Sequence, residues 1–154
     1  MFHLVRHQED YRDSVYLDSK GNRTVGIGFN LEEEHNRQFL KEIGIDLETV
    51  FSGLSLSEED IMSMYHFSIQ TAYWDATKFL PDLDKHPEDI QVAIIIMAYN
   101  LGFNNLLSFK DTRIALLQRN YEWASDEMLD SNWASQTGIR AKELAQMVRR
   151  HAEK

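Results

Sequence analysis

The chain has no cysteine among its 154 residues, only two prolines and only seven glycines. Without thiols there is no disulfide framework and no thiolate zinc site, so folding does not depend on an oxidising compartment. Long apolar runs are also missing. The longest candidate, residues 92–98, falls far short of the ~18 residues that mark a membrane span. The opening stretch MFHLVRHQEDYRD has no sustained apolar core behind a basic end, and no secretory signal is expected. Basic residues are outnumbered, 16 Lys and Arg against 25 Asp and Glu, for a formal charge of −9. That argues against nonspecific nucleic-acid binding, which needs clustered cations. Low-complexity tracts, internal repeats and Pro/Gly/Ser linkers are absent. What is present is a hydrophobic fraction of 43% with 11% aromatics. This is enough for one domain with a real core, or two small lobes sharing a helix, and a monomer is expected.

The periodicities describe an α+β chain, mostly α. Residues 2–11 read as a short helix with Glu9 near its end. Residues 15–17 and 24–27 read as strands, joined by the turn Ser19-Lys20-Gly21-Asn22. A polar helix over 32–43 is stopped by Gly44, and a third helix opens at the capping box Ser57-Glu58-Glu59-Asp60. Its apolar face runs through Ile61, Met64, Tyr65, Ala72, Ala76 and Phe79, with Pro81 just beyond its end. A helix of that length can serve as a spine between lobes. Pro87 starts a helix that is apolar almost all round from Ile90 to Ala98, as befits the centre of a helical lobe. Shorter helices are expected over 111–119, over 121–129 and from 139 onward. The domain layout is therefore a single domain over 1–154, with one lobe at about 12–56, another from 1–11 plus 81–154, and a connecting helix over 57–80. A cleft between lobes is a natural place for a ligand.

Within this layout Glu9, Asp18 and Thr24 form a constellation. Two separated carboxyls with a small hydroxyl nearby suit glycosidic hydrolysis: one acid protonates the leaving oxygen, and the other activates a water on the opposite face of the sugar. Each has a plainer role open to it. Glu9 could be a solvated helix acid, and Asp18 could simply begin a turn by accepting from backbone amides two residues on. His3 and His7 share a helical spacing, but no third ligand is fixed by it, so no metal and no cofactor is expected. The acidic runs Glu32-Glu33-Glu34 and 82–89 lack a calcium-loop pattern and read as solvated faces.

The nine- and six-residue spacings of Glu9, Asp18 and Thr24, followed by Thr24-Val25-Gly26-Ile27-Gly28, resemble the active-site segment of the phage-type lysozymes, the T-even-like muramidases. The similarity extends to Met97-Ala98-Tyr99-Asn100-Leu101-Gly102, to Phe109 with Thr112, and to Trp133-Ala134-Ser135-Gln136-Thr137-Gly138-Ile139-Arg140-Ala141-Lys142. It is dense over 9–31 and 96–142 and thin over 32–90. It departs from the usual family pattern at three places: Asp10 follows the acid where glycine is common, Lys20 sits in the turn, and Phe29-Asn30 stands where histidine is common.

The resemblance implies a lysozyme-like fold and a muramidase that cleaves the β-1,4 bond between N-acetylmuramic acid and N-acetylglucosamine in bacterial peptidoglycan. It implies Glu9 as general acid, Asp18 and Thr24 as holders of the attacking water, and inversion at the anomeric carbon. Asn30, Tyr99, Asn100, Thr112 and Thr137 become substrate-binding candidates, with Arg140 as the partner of Glu9. A lytic transglycosylase, which needs one Glu and no base, is the alternative enzyme; a non-catalytic wall-binding member of the fold is the alternative of another kind. The expected location is the host cytoplasm before release to the wall, or a virion. Arg140, Lys142, Arg149, Arg150 and Lys154 outnumber Glu143 and Glu153 in the last helix, so that side is expected to be locally basic against an anionic polymer.

Overall fold

A computed structural model describes residues 11–152 of the chain. The helix expected over 2–11 lies outside them, Glu9, Asp10, His3 and His7 included, except for Tyr11. That residue opens a strand rather than closing a helix. The described residues are mostly helical, with one small three-stranded antiparallel sheet of order β1-β2-β3. They divide into two compact units, the first ending at Ile69 and the second beginning at Gln70.

In the first unit β1 (Tyr11–Leu17) pairs with β2 (Arg23–Ile27), which pairs with β3 (Phe29–Asn30). Strand β1 starts earlier than its apolar residues suggest. An irregularity between Arg12 and Tyr16 accommodates the polar stretch between them, and the Arg12 guanidinium lies 4.9 Å from the Tyr16 ring centre. At the far end, the Asp18 amide bonds the Asn22 carbonyl at 2.9 Å and Gly21 takes a φ of +81°, which closes the hairpin as expected. Strand β3 was not foreseen, because two residues carry no periodicity. It forms because Gly28, at φ +69°, turns the chain so that Phe29 faces Val25 and Asn30 faces Thr24. Gly26 has a different reason. It sits at φ +68°, and a Cβ there would come within 3.3 Å of an Ile61 methyl, so any side chain would be strained twice over.

Helix α1 (Glu34–Glu42) begins two residues later than expected. Glu32 is held outside it by Arg23 at 2.8 Å and Arg37 at 2.9 Å, an arrangement that pulls its carboxyl down to about 2, chiefly through the Arg23 hydrogen bond. The Arg23 guanidinium carbon also lies over the Phe51 ring, 3.7 Å from its centre, at the end of the short helix α2 (Leu47–Phe51). Helix α3 (Glu58–Phe79) starts as the capping box predicts, with the Asp60 amide bonded to the Ser57 hydroxyl at 3.1 Å. All six residues of its predicted apolar face are buried. The boundary between the two units falls inside it.

The second unit is helical throughout its described part. A 3-10 turn (Leu83–Lys85) leads into α4 (Glu88–Leu101), α5 (Phe103–Leu107), α6 (Lys110–Leu117), α7 (Tyr121–Leu129), α8 (Asn132–Thr137) and α9 (Ile139–Arg149). The expected all-apolar helix is α4. Ile90, Ala93, Ile94, Ile96 and Met97 are fully buried, and α9 packs against both α4 and α7. Each of the isoleucines and Met97 contributes about 1.5–3 kcal/mol on leaving water. The five- and six-residue helices α5 and α8 escape sequence reading because they are too short for a periodic signal.

One polar network is built into this helical core. The His86 side chain is wholly buried, with Nδ1 2.7 Å from the Tyr121 hydroxyl and Nε2 3.1 Å from an Asp82 oxygen. Arg119 donates to the other Asp82 oxygen at 2.6 Å. A carboxylate only accepts, so Nε2 carries the proton and the neutral Nδ1 accepts from Tyr121. Burial favours that neutral imidazole and lowers the His86 pKa, with Asp82 opposing and Arg119 reinforcing the shift. For Asp82 burial works toward a higher pKa, but the Arg119 and His86 hydrogen bonds outweigh it and the net shift is downward.

Candidate active site

Three of the expected site residues lie on the small sheet and its first turn. Asp18 follows the last residue of β1, and its carboxylate is held from both sides. Oδ1 accepts from the Lys20 amide at 2.9 Å and from the Asn22 amide at 2.8 Å, while Oδ2 accepts from the Asn22 side-chain amide at 3.2 Å. Asp18 thus does what a turn aspartate does, and remains partly exposed while doing it. Thr24 lies on β2 between Tyr16 and Asn30 and is 3% exposed. Its hydroxyl donates to the Asn22 carbonyl at 2.9 Å, which leaves the oxygen lone pairs to accept from another group. Asn30 is the cross-strand neighbour of Thr24. Its Oδ1 accepts from the Glu32 amide at 2.8 Å and its carbonyl accepts from the Asn36 side chain at 2.9 Å.

Asn22 is the residue that sequence reading undervalued. The sequence places it only in the turn, yet it contacts both Asp18 and Thr24. The signal was available: a side-chain donor four residues after an aspartate, in a turn whose left-handed position is already filled by Gly21.

The remaining candidates belong to the second unit. Tyr99 and Asn100 occupy the last turn of α4, both partly exposed. Thr112, in the first turn of α6, is 1% exposed and packs as a core residue of its unit. Thr137 ends α8, and its hydroxyl donates to the Trp133 carbonyl at 2.8 Å. Trp133 in turn stands edge-on to Phe109, their ring centres 6.0 Å apart, so two of the matched segments meet within this unit. Gly138, at φ +58°, separates α8 from α9 and places Arg140 in the first turn of α9. Glu9, the expected general acid, lies outside the described residues, as does any pairing of it with Arg140. Among the described residues no group of three or more His, Cys, Asp or Glu side chains is arranged to hold a metal ion.

One cation of the last helix has acidic neighbours. Arg149 reaches back to α7, 2.9 Å from Asp126 and 3.5 Å from Glu122, so one of its cations is spent on an internal ion pair.

No protein-family model matches the chain. It is similar to the probable T4-type lysozyme 1 of Dictyostelium discoideum, 25% identical over 154 residues that cover 94% of this chain and 91% of that protein. It is also 25% identical over 161 residues to the pre-baseplate central spike protein Gp5 of Enterobacteria phage T4. That match covers 96% of this chain but only 27% of the spike protein. Over nearly its whole length, this chain resembles the T4-type lysozymes.

Proposed function

We propose that the chain is a peptidoglycan hydrolase of the muramidase type, cleaving the β-1,4 bond between N-acetylmuramic acid and N-acetylglucosamine with inversion. The observation that carries this reading is the hydrogen-bonded turn holding Asp18 and Thr24, in a chain similar along 94% of its length to a protein named a lysozyme. In the proposed reaction Glu9 gives its proton to the glycosidic oxygen as the bond to the anomeric carbon breaks. A water attacks that carbon from the opposite face, passing one proton to Asp18 while its other O–H donates to the Thr24 oxygen. Thr24 suits this because its own proton already points at Asn22. Tyr99 and Asn100 are the proposed sugar contacts, Asn30 and Thr137 the supporting ones, and Arg140 the group that orients Glu9; Thr112, closed off from solvent, is left to packing.

The substrate is the bacterial wall, reached by release from the host cytoplasm or on a particle; fractionating purified particles from free protein separates these. The reaction is tested by clearing of permeabilised Gram-negative cells, followed by analysis of product ends. Reducing ends of inverted configuration support the proposal, and the Glu9 and Asp18 carboxyls should stand roughly 6.5–9.5 Å apart in a crystal structure, leaving room for the water. Products ending in 1,6-anhydro sugars would establish the transglycosylase. A folded protein that binds peptidoglycan without cutting it would be a wall-binding member of the fold. Glu9→Gln should remove cleavage and spare the fold, since general acid catalysis contributes ~10²–10⁴-fold.

A further inference from the structure

We infer that Asn22 is a positioning residue for this reaction, its side-chain amide fixing the Asp18 carboxylate and its carbonyl fixing the Thr24 hydroxyl. The inference rests on the reading of Asp18 and Thr24 as the water-activating pair. A carboxylate swings easily about its last bond, because that torsion is broad and two-fold. Here the Lys20 and Asn22 amides pin Oδ1, at 2.9 and 2.8 Å, and those two bonds leave Oδ2 free to rock about the pinned oxygen. The Asn22 Nδ2, at 3.2 Å, is the donor that stops it. The same residue's carbonyl takes both the Asp18 amide and the Thr24 hydroxyl proton, each at 2.9 Å. One residue therefore sets the directions of the two groups that a single water must address together.

The competing explanation is that asparagine is there for the backbone, since it tolerates a left-handed conformation. The structure gives that conformation to Gly21 at φ +81°, and Asn22 is not among the residues with positive φ. Three of the contacts made by Asn22 come from its main chain and would survive replacement; only the Nδ2 bond to Asp18 belongs to this side chain. Asn22→Ala therefore removes one defined contact and leaves the hairpin its main-chain bonds.

The test compares purified full-length variants on purified peptidoglycan, measuring kcat, KM and Tm. Asn22→Ala should lower kcat about ten- to a hundredfold, the scale of losing a hydrogen bond to a charged group. KM should stay within about twofold, since an interaction made only in the transition state lowers kcat and not KM. Asn22→Asp should lose more, because it turns an acceptor toward the carboxylate, and Asn22→Gln, which keeps a donor on a longer arm, should recover part of the rate. A fall in Tm or a rise in KM with kcat unchanged would mean a merely structural residue and would overturn the inference. So would an unchanged Asn22→Ala beside an inactive Asp18→Asn, which leaves the proposed mechanism standing. If Asp18→Asn itself keeps full activity, the reading of Asp18 fails, and the inference with it, whatever Asn22→Ala does.

Discussion

Two aspartates in this chain are each held by a set of fixed donors, and they are held in opposite ways. The partners of Asp18 all come from within four residues, in an exposed turn, and two of the three bonds to it are backbone amides. Asp82 is gripped by His86 from four residues along the chain and by Arg119 from 37 residues along, and the His86 side chain is closed off from water. The first network assembles as soon as the hairpin forms and asks little of the rest of the molecule. The second exists only when the helices around α4 have docked, because Tyr121 must arrive on α7 to complete it. Groups of similar chemistry are thus held by local donors in one place and by the tertiary fold in the other. The difference lies in who supplies the donors and how much water remains.

The largest effect that could break this contrast is on activity. Asp18→Asn keeps an Oδ1 acceptor for the two backbone amides and loses only the acceptor facing the Asn22 side chain, in an exposed turn, so the hairpin should form and Tm should fall little. It removes the proposed base, however, and the rate on peptidoglycan should fall at least ~10²-fold. A comparable drop in Tm would show that the turn carries fold stability after all.

The reciprocal change is His86→Ala. It leaves the Tyr121 hydroxyl and an Asp82 oxygen without their partner inside the core, and it opens a cavity. Unfolding free energy should fall by about 2–4 kcal/mol in denaturant titration, while kcat of the folded fraction stays as it was. A variant with wild-type stability would mean that the network is ornamental.

The same contrast explains what the sequence disclosed. The hairpin, the capping box at Ser57, the buried face of α3 and the apolar α4 were all legible, because each is a local pattern written in neighbouring residues. Strand β3 and the helices α2, α5 and α8 were not, being too short to show a period. The late start of the polar helix was hidden for another reason: Glu32 is withdrawn from it by Arg23, nine residues back across the sheet. In the candidate site, the spacing puts Asp18 at the turn and Thr24 on the strand beyond it, whereas the bridge that Asn22 makes between them shows only as a side-chain donor four residues after an aspartate, a weak signal on its own. The His86–Asp82–Tyr121 network was invisible, since nothing at position 86 announces a tyrosine 35 residues on.

Acid should separate the two networks by a smaller margin. The His86 pKa is lowered in the folded protein from an ordinary 6.5, so the unfolded chain takes up its proton first as the pH falls. The stability that His86 contributes is complete above about pH 6.5 and is lost as pH drops through its folded value. Asp82, lowered from 3.8, acts in the same direction further down the scale. A proton forced onto Nδ1 would point at the Tyr121 oxygen and displace the hydroxyl hydrogen already aimed there. Tm measured from pH 8 to 5 should therefore decline, and His86→Gln should flatten that decline relative to wild type. Parallel curves for the two proteins would assign the acid sensitivity elsewhere.

The smallest effect concerns charges that neither network neutralises. Peptidoglycan is anionic and the chain carries −9, so long-range electrostatics should oppose encounter, over a Debye length of ~8 Å at physiological salt. The last helix is where attraction would have to come from, yet its Arg149 is already committed to Asp126 and Glu122. Screening should then weaken a repulsion more than an attraction. The rate on purified peptidoglycan should hold or rise modestly from low to moderate salt, with the change in kcat/KM and not in kcat, because only encounter is screened. Glu122→Gln together with Asp126→Asn would release Arg149 and raise the net charge by two. That variant should be faster at low salt and should lose its advantage as salt is added. If wild type itself slows steeply with salt while its fold is unchanged, attraction already dominates at the face that meets the polymer, and the ion pairs of Arg149 have no bearing on encounter.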